Sequence, residues 1–66
     1  MYRRVWIVNC SKRGFTYKIF VETNEAGLRS YMESEIPEAY SYSGATEKEI
    51  AAWKLSGLPI YLYKEL

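Results

Sequence analysis

The chain contains no histidine and no aspartate, and a single cysteine, Cys10, among its 66 residues. Without histidine, neither a Ser/His/Asp nor a Cys/His nucleophile arrangement can be assembled within it, and histidine-containing metal sites are excluded with them. One cysteine excludes an internal disulfide and a cysteine-rich metal centre. The four glycines, at 14, 27, 44 and 57, stand apart from one another, so neither a phosphate-binding loop nor a dinucleotide fingerprint is present, and no cofactor is expected. No apolar run approaches the roughly 20 residues that cross a bilayer. Met1 leads into strand-like alternation without a charged-then-apolar export signal. A cytoplasmic protein with no membrane partner is expected.

What is present is the composition of a folded protein. Hydrophobic residues make up 48% and charged residues 26%, far from the signature of disorder. No internal repeat, low-complexity tract or linker divides the chain, so residues 1–66 are expected to form one domain, small enough that its core alone gives modest stability. Catalytic candidates are few. Glu33, Glu35 and Glu38 are available for acid/base work, but positions 33 and 35 point to different sides of a helix and are better read as solvated charge. Cys10 lies in a hydrophobic strand with no histidine to activate it and reads as a small core residue. A non-enzymatic protein is expected.

Residues 2–10 (YRRVWIVNC) and 15–22 (FTYKIFVE) are rich in β-branched and aromatic types and alternate in polarity, with Ser11 to Gly14 as a polar turn, so they read as a β-hairpin. Thr23 or Asn24 can cap a helix that ends near Ile36, before Pro37. Its Leu28, Tyr31, Met32 and Ile36 form one apolar stripe. Residues 38–45 (EAYSYSGA) read either as a short strand or as a loop. Thr46 with Glu49 is a capping box opening a second helix, with Ile50, Ala51, Trp53 and Leu55 as its apolar side and Gly57 to stop it. Residues 59–66 (PIYLYKEL) read as a last strand, whose Tyr61 and Tyr63 either pack inside or form an edge that pairs with a second copy as a homodimer. The expected fold is α+β: a small antiparallel sheet, made of the N-terminal hairpin plus the C-terminal strand, with one or two helices packed on one face.

Charge is sorted along the chain. Residues 1–20 hold Arg3, Arg4, Lys12, Arg13 and Lys18 with no acid, whereas residues 21–50 hold seven Glu against Arg29 and Lys48, and the formal net charge is +1. Two binding readings follow. In the first, seven Tyr and two Trp exceed what so small a core encloses, and the surplus anchors a protein interface. Tyr40 and Tyr42 then form a contact loop beside an acidic strip of Glu33, Glu35 and Glu38, which can compete for basic surfaces. In the second, Arg3, Arg4, Lys12, Arg13 and Lys18 meet a phosphate backbone, with Tyr2, Trp6 or Tyr17 to stack on bases. Trp6 and Tyr17 are better read as core, and no recognition-module signature or zinc-finger spacing is present. The first reading is preferred.

The hairpin MYRRVWIVNCSKRGFTYKIFVET, followed by a short helix and a return strand, resembles the small host-takeover and anti-defence proteins of bacteriophages in size, element order and composition. The resemblance implies a non-enzymatic inhibitor of a larger host nucleic-acid-handling or defence enzyme, such as a polymerase, nuclease or CRISPR effector. With a net charge of +1, the chain is not a whole-surface DNA mimic, and any mimicry is confined to one face.

Overall fold

The computed structural model describes residues 4–63. Strands β1 (Arg4–Lys12) and β2 (Phe15–Thr23) form the expected hairpin. Its turn is tighter than the four-residue stretch read from sequence, because Lys12 pairs with Phe15 and only Arg13 and Gly14 lie between them. Both take positive φ, 51° and 84°, as a type I′ turn requires so that its twist matches that of the strands. Gly14 adopts this conformation freely, whereas the Cβ of Arg13 makes it costly by roughly 1–2 kcal/mol.

The turn fixes which residues share a face. Trp6, Val8 and Cys10 stand opposite Val21, Ile19 and Tyr17 on one side, while Ile7 and Asn9 stand opposite Phe20 and Lys18 on the other. Helix α1 (Glu25–Glu35) covers the first side. Asn24 caps it, accepting a 2.7 Å bond from the Gly27 amide, and Glu25 lies in the first turn, where the helix dipole favours an acid. Leu28 and Ile36 pack on Val8, Cys10 and Val21, with Trp6, Ile19, Tyr31 and Met32 around them. Trp6 fastens the end of the hairpin by donating its indole N–H to the Thr23 carbonyl at 2.9 Å.

Strand β3 (Ala39–Gly44) settles the ambiguous segment as a strand, antiparallel to β1. Cys10 pairs with Ala39 and Asn9 with Ser41, so Tyr40 is the extra residue of a β-bulge. Helix α2 (Glu47–Leu55) opens with the expected capping box of Thr46 and Glu49, and Gly57 follows it at φ 76°. Strand β4 (Ile60–Leu62) then pairs with β2, completing the order β3-β1-β2-β4. The end of the last expected strand, residues 64–66, lies outside the described residues.

The result is the small α+β domain expected, with α1 on one face, but two features refine it. β4 runs parallel to β2, so the sheet is mixed: the connection from Ala45 to Pro59 is long enough for a crossover. In addition, α2 lies on the face opposite α1, where Trp53 stacks on Phe20 with ring centroids 4.1 Å apart. The topology explains this. β2, β3 and β4 all run in one direction, and the chain steps across the sheet one way from β2 to β3 and the other way from β3 to β4. Crossovers between parallel strands share a single hand, so opposite steps put their helices on opposite faces.

The two helices are attached unequally. α1 buries Gly27 and Leu28, whereas no residue of α2 is buried. Leu55, expected on the apolar side of α2, is 89% exposed. It lies two positions from Trp53, about 200° around the axis, so both cannot face the sheet, and the larger ring takes that place. Trp53 also donates its indole N–H to the Pro59 carbonyl at 2.8 Å, tying the following loop to the helix.

Two stability predictions follow. Trp53→Ala is expected to cost about 2–3 kcal/mol in urea denaturation and to strip hydrogen-exchange protection from α2 while β1 and β2 keep theirs. Gly27→Ala, a favourable change in an ordinary helix by about 1 kcal/mol, is expected to destabilise here. A methyl at that position would collide with Thr23 Oγ1, which belongs to a buried side chain; overpacking of this kind costs about 1–3 kcal/mol.

Candidate binding surfaces

At the hairpin end of the molecule the helix α1 hands over to β3, and the acidic candidates gather there. Glu33 and Glu35 are exposed on its last turn, two positions and about 200° apart, so they project to different sides. Glu38 follows, its backbone carbonyl accepting from the Ser11 amide at 3.1 Å. Its carboxylate accepts a 2.6 Å bond from the Tyr17 hydroxyl. That bond, helped by the nearby Lys12, holds the Glu38 carboxyl below its ordinary value and pushes the Tyr17 phenol well above its own.

The two tyrosines expected to act together are parted by the bulge. Tyr42 packs edge-on against Trp6, with ring centroids 5.7 Å apart, and is half-buried. Tyr40, 63% exposed, joins Asn9, Thr16, Tyr17 and Lys18 around a shallow cleft of about 140 Å³. Asn9, Thr16 and Lys18 belong to the face that α2 partly covers, so Tyr40 turns to that face while Tyr42 keeps to the other.

Of the basic candidates, Arg3 lies outside the described residues. Arg4 rests its guanidinium 5.1 Å from the Trp6 ring centroid, above the backbone of Gly44, so it is a packing residue as much as a charge. Lys12, Arg13 and Lys18 are exposed at or near the hairpin tip, and none forms an ion pair with a described residue; the ion pair found among those residues is Arg29 with Glu25 at 3.9 Å. Trp6, read from sequence as core, packs half-buried against it, whereas Tyr17, read the same way, is exposed at the rim of that face, where its hydroxyl reaches Glu38.

Cys10 is fully buried, and burial pushes its thiol up, which removes the thiolate that reactivity requires. Among the described residues no group of three or more potential ligands is placed to hold a metal ion, and no helix is long and apolar enough to cross a membrane.

Sequence reasoning missed a further set of exposed apolar side chains. Leu55, Leu58, Tyr61 and Leu62 are all exposed within one eight-residue stretch beside β4. The angular separation of Leu55 from Trp53 was the available signal for it. Phe15, 74% exposed at the hairpin tip, carried no such signal, since alternation places it on the core face. Comparison with protein-family models, with curated proteins and with solved structures gives no match to this chain, so its function is argued from these surfaces.

The Tyr17–Glu38 bond gives a pH prediction. Because folding lowers the Glu38 pKa, its contribution to stability is present above the ordinary value of 4.5 and is lost as pH falls through the lowered folded value. In Tyr17→Phe, carboxylate NMR is expected to show Glu38 titrating closer to its ordinary value, with a flatter dependence of stability on pH below 4.5. An unchanged Glu38 titration would mean that the hydroxyl does not set it.

Proposed function

We propose that this chain is a small non-enzymatic regulator that docks on a larger protein. The observation that carries the reading is Leu55, 89% exposed on a helix end, with Leu58 and Leu62 also exposed in the segment that follows it. Isolated surface leucines are ordinary, but several gathered in one short segment mark an interaction surface. Leucine side chains with no internal role gain stabilisation from burial in a partner, at roughly 25 cal/mol per Å² of apolar surface. This moves the main anchor of the interface from Tyr40 and Tyr42 to residues 55–62. Glu33, Glu35 and Glu38 remain as an acidic rim at the hairpin end, suited to a partner with a basic surface.

The finer form of the reading is a phage-type inhibitor of a host nucleic-acid-handling or defence enzyme. It is supported by the resemblance in size, element order and composition, and by the presence of acidic and apolar contact residues on one small domain.

The test is affinity capture from bacterial lysate after nuclease treatment, comparing the native chain with Leu55→Glu/Leu62→Glu. Both positions are exposed, so the fold should change by no more than about 0.5 kcal/mol. A specific protein captured by the native chain is expected to fall at least tenfold with the double variant. Equal capture by that variant, together with loss in Glu33→Lys/Glu35→Lys/Glu38→Lys, would transfer the interface to the acidic rim.

A further inference from the structure

A second surface lies on the half of the sheet that α2 leaves open. Trp53 holds α2 over Phe20, and the cleft beside it is lined by Ile7, Lys18, Glu49, Ala52 and Ser56. Toward the hairpin tip the same face carries Asn9, Thr16, Lys18 and Ser41, with Tyr40 beside them. We propose that this open face and the adjoining hairpin tip bind single-stranded nucleic acid, with a base stacked on Tyr40 and phosphates held by Lys18, Arg13 and Lys12. The proposal concerns a surface separate from the apolar segment 55–62 and does not depend on it.

Three independent features converge on this ligand. The first is the turn. Arg13 occupies a positive φ of 51°, where asparagine or glycine would be more favourable. A costly residue held at an apex is the kind of outlier that points to a role in binding, and here it sets a guanidinium at the most projecting point of the hairpin. The second is the bulge. By inserting Tyr40 between the Ala39 and Ser41 pairings, it turns a largely exposed ring onto a face whose other residues are polar. Bulges commonly re-aim side chains in this way at functional positions.

The third is the chemistry of the surroundings. Lys12, Arg13 and Lys18 are exposed and make no ion pair with any described residue. The acids near them, Glu38 and Glu49, keep their charge but are fixed in place by their bonds to Tyr17 and Thr46, so they border the cationic apex and form no ion pair with it. Asn9 donates from its amide to Ser41 Oγ at 3.1 Å, leaving its carbonyl oxygen as an acceptor for a base edge. Phe15, 74% exposed at the closing pair of the hairpin but on the α1 side of the sheet, offers a second ring around the apex. Exposed rings beside unpaired cations suit unstacked bases on a flexible backbone; a duplex keeps its bases stacked internally and offers such rings no face.

The experiment is fluorescence anisotropy with a labelled 12-nucleotide oligothymidine and a labelled duplex of equal length, each at 50 and 200 mM salt. Three phosphate contacts predict a salt slope near −2, or roughly a twentyfold loss of oligothymidine affinity between the two conditions. Tyr40→Ala is expected to weaken binding by about 5- to 150-fold with the slope unchanged. Arg13→Asn should reduce the slope by about 0.7 while raising Tm by a few degrees through the improved turn, so its loss of affinity cannot be attributed to unfolding. Leu55→Glu/Leu62→Glu should bind like the native chain, which separates this surface from the protein-docking one. The proposal is overturned by no binding at 50 mM salt, by duplex binding equal to or tighter than oligothymidine binding, or by affinity unaffected in both Tyr40→Ala and Arg13→Asn.

Discussion

The register of the β1–β2 hairpin is the constraint on which every other element depends. A slip of one residue would turn β2 over relative to β1, setting Lys18 beneath α1 and turning Ile19 and Val21 toward α2. Leu28 of α1 needs Val8, Cys10 and Val21, and Trp53 of α2 needs Phe20, so neither helix could dock on the shifted sheet. The two-residue turn at Arg13 and Gly14 selects this register locally, and the nine residue pairs that follow it hold it in place. An unfavourable φ at Arg13 is tolerable because so many pairings oppose its release.

From that shared base the two crossovers diverge in strength. α1 closes over fully buried side chains, whereas α2 and the three-residue β4 are held by the partly buried Trp53, its stack on Phe20 and its bond to Pro59. Segments with few buried apolar contacts open at lower free energy than the core. Helix α2 and the loop after it are therefore expected to open at lower free energy than the hairpin and α1, and they carry Leu55 and Leu58, whereas Tyr63 packs against the core beside Tyr31. A partner that buries Leu55 and Leu62 would supply the apolar contact that α2 lacks within the chain. Its binding and the stability of this segment would then be thermodynamically linked.

Local chemistry made most of the elements legible in the sequence. Asn24 as a cap, the Thr46–Glu49 box, Gly57 as a helix stop and the strand alternation of the hairpin each carry a short-range mechanism, and each lies where that mechanism puts it. The sheet order was not legible, because parallel pairing of β4 with β2 is decided by where a crossover lands. The separation of Tyr40 from Tyr42 depends on a bulge opposite β1, a property of pairing that neither strand encodes alone. Among the surface candidates, the cations of the hairpin followed from composition. The exposure of Phe15 did not, since it depends on where α1 stops covering its face.

The charge segregation seen along the chain is folded back on itself at the hairpin end. β2 runs away from the hairpin tip and α1 returns toward it, so Glu33, Glu35 and Glu38 come back to the end that carries Lys12, Arg13 and Lys18. These three acids arrive with the α1 layer, where Lys12 lies near Glu38, while Lys18 faces the opposite side, near Glu49 of α2. Packed layers are separated by roughly 10 Å, which is close to the Debye length at about 0.1 M salt. At larger distances the two signs cancel toward the net charge of +1, and neither polyanions nor polycations are steered strongly to the protein. At contact distance each face presents a local pattern of both signs, with Lys12 near Glu38 on one side and Lys18 near Glu49 on the other. Recognition by such a surface rests on complementarity at close range, where the positions of individual charges decide and the net charge does not.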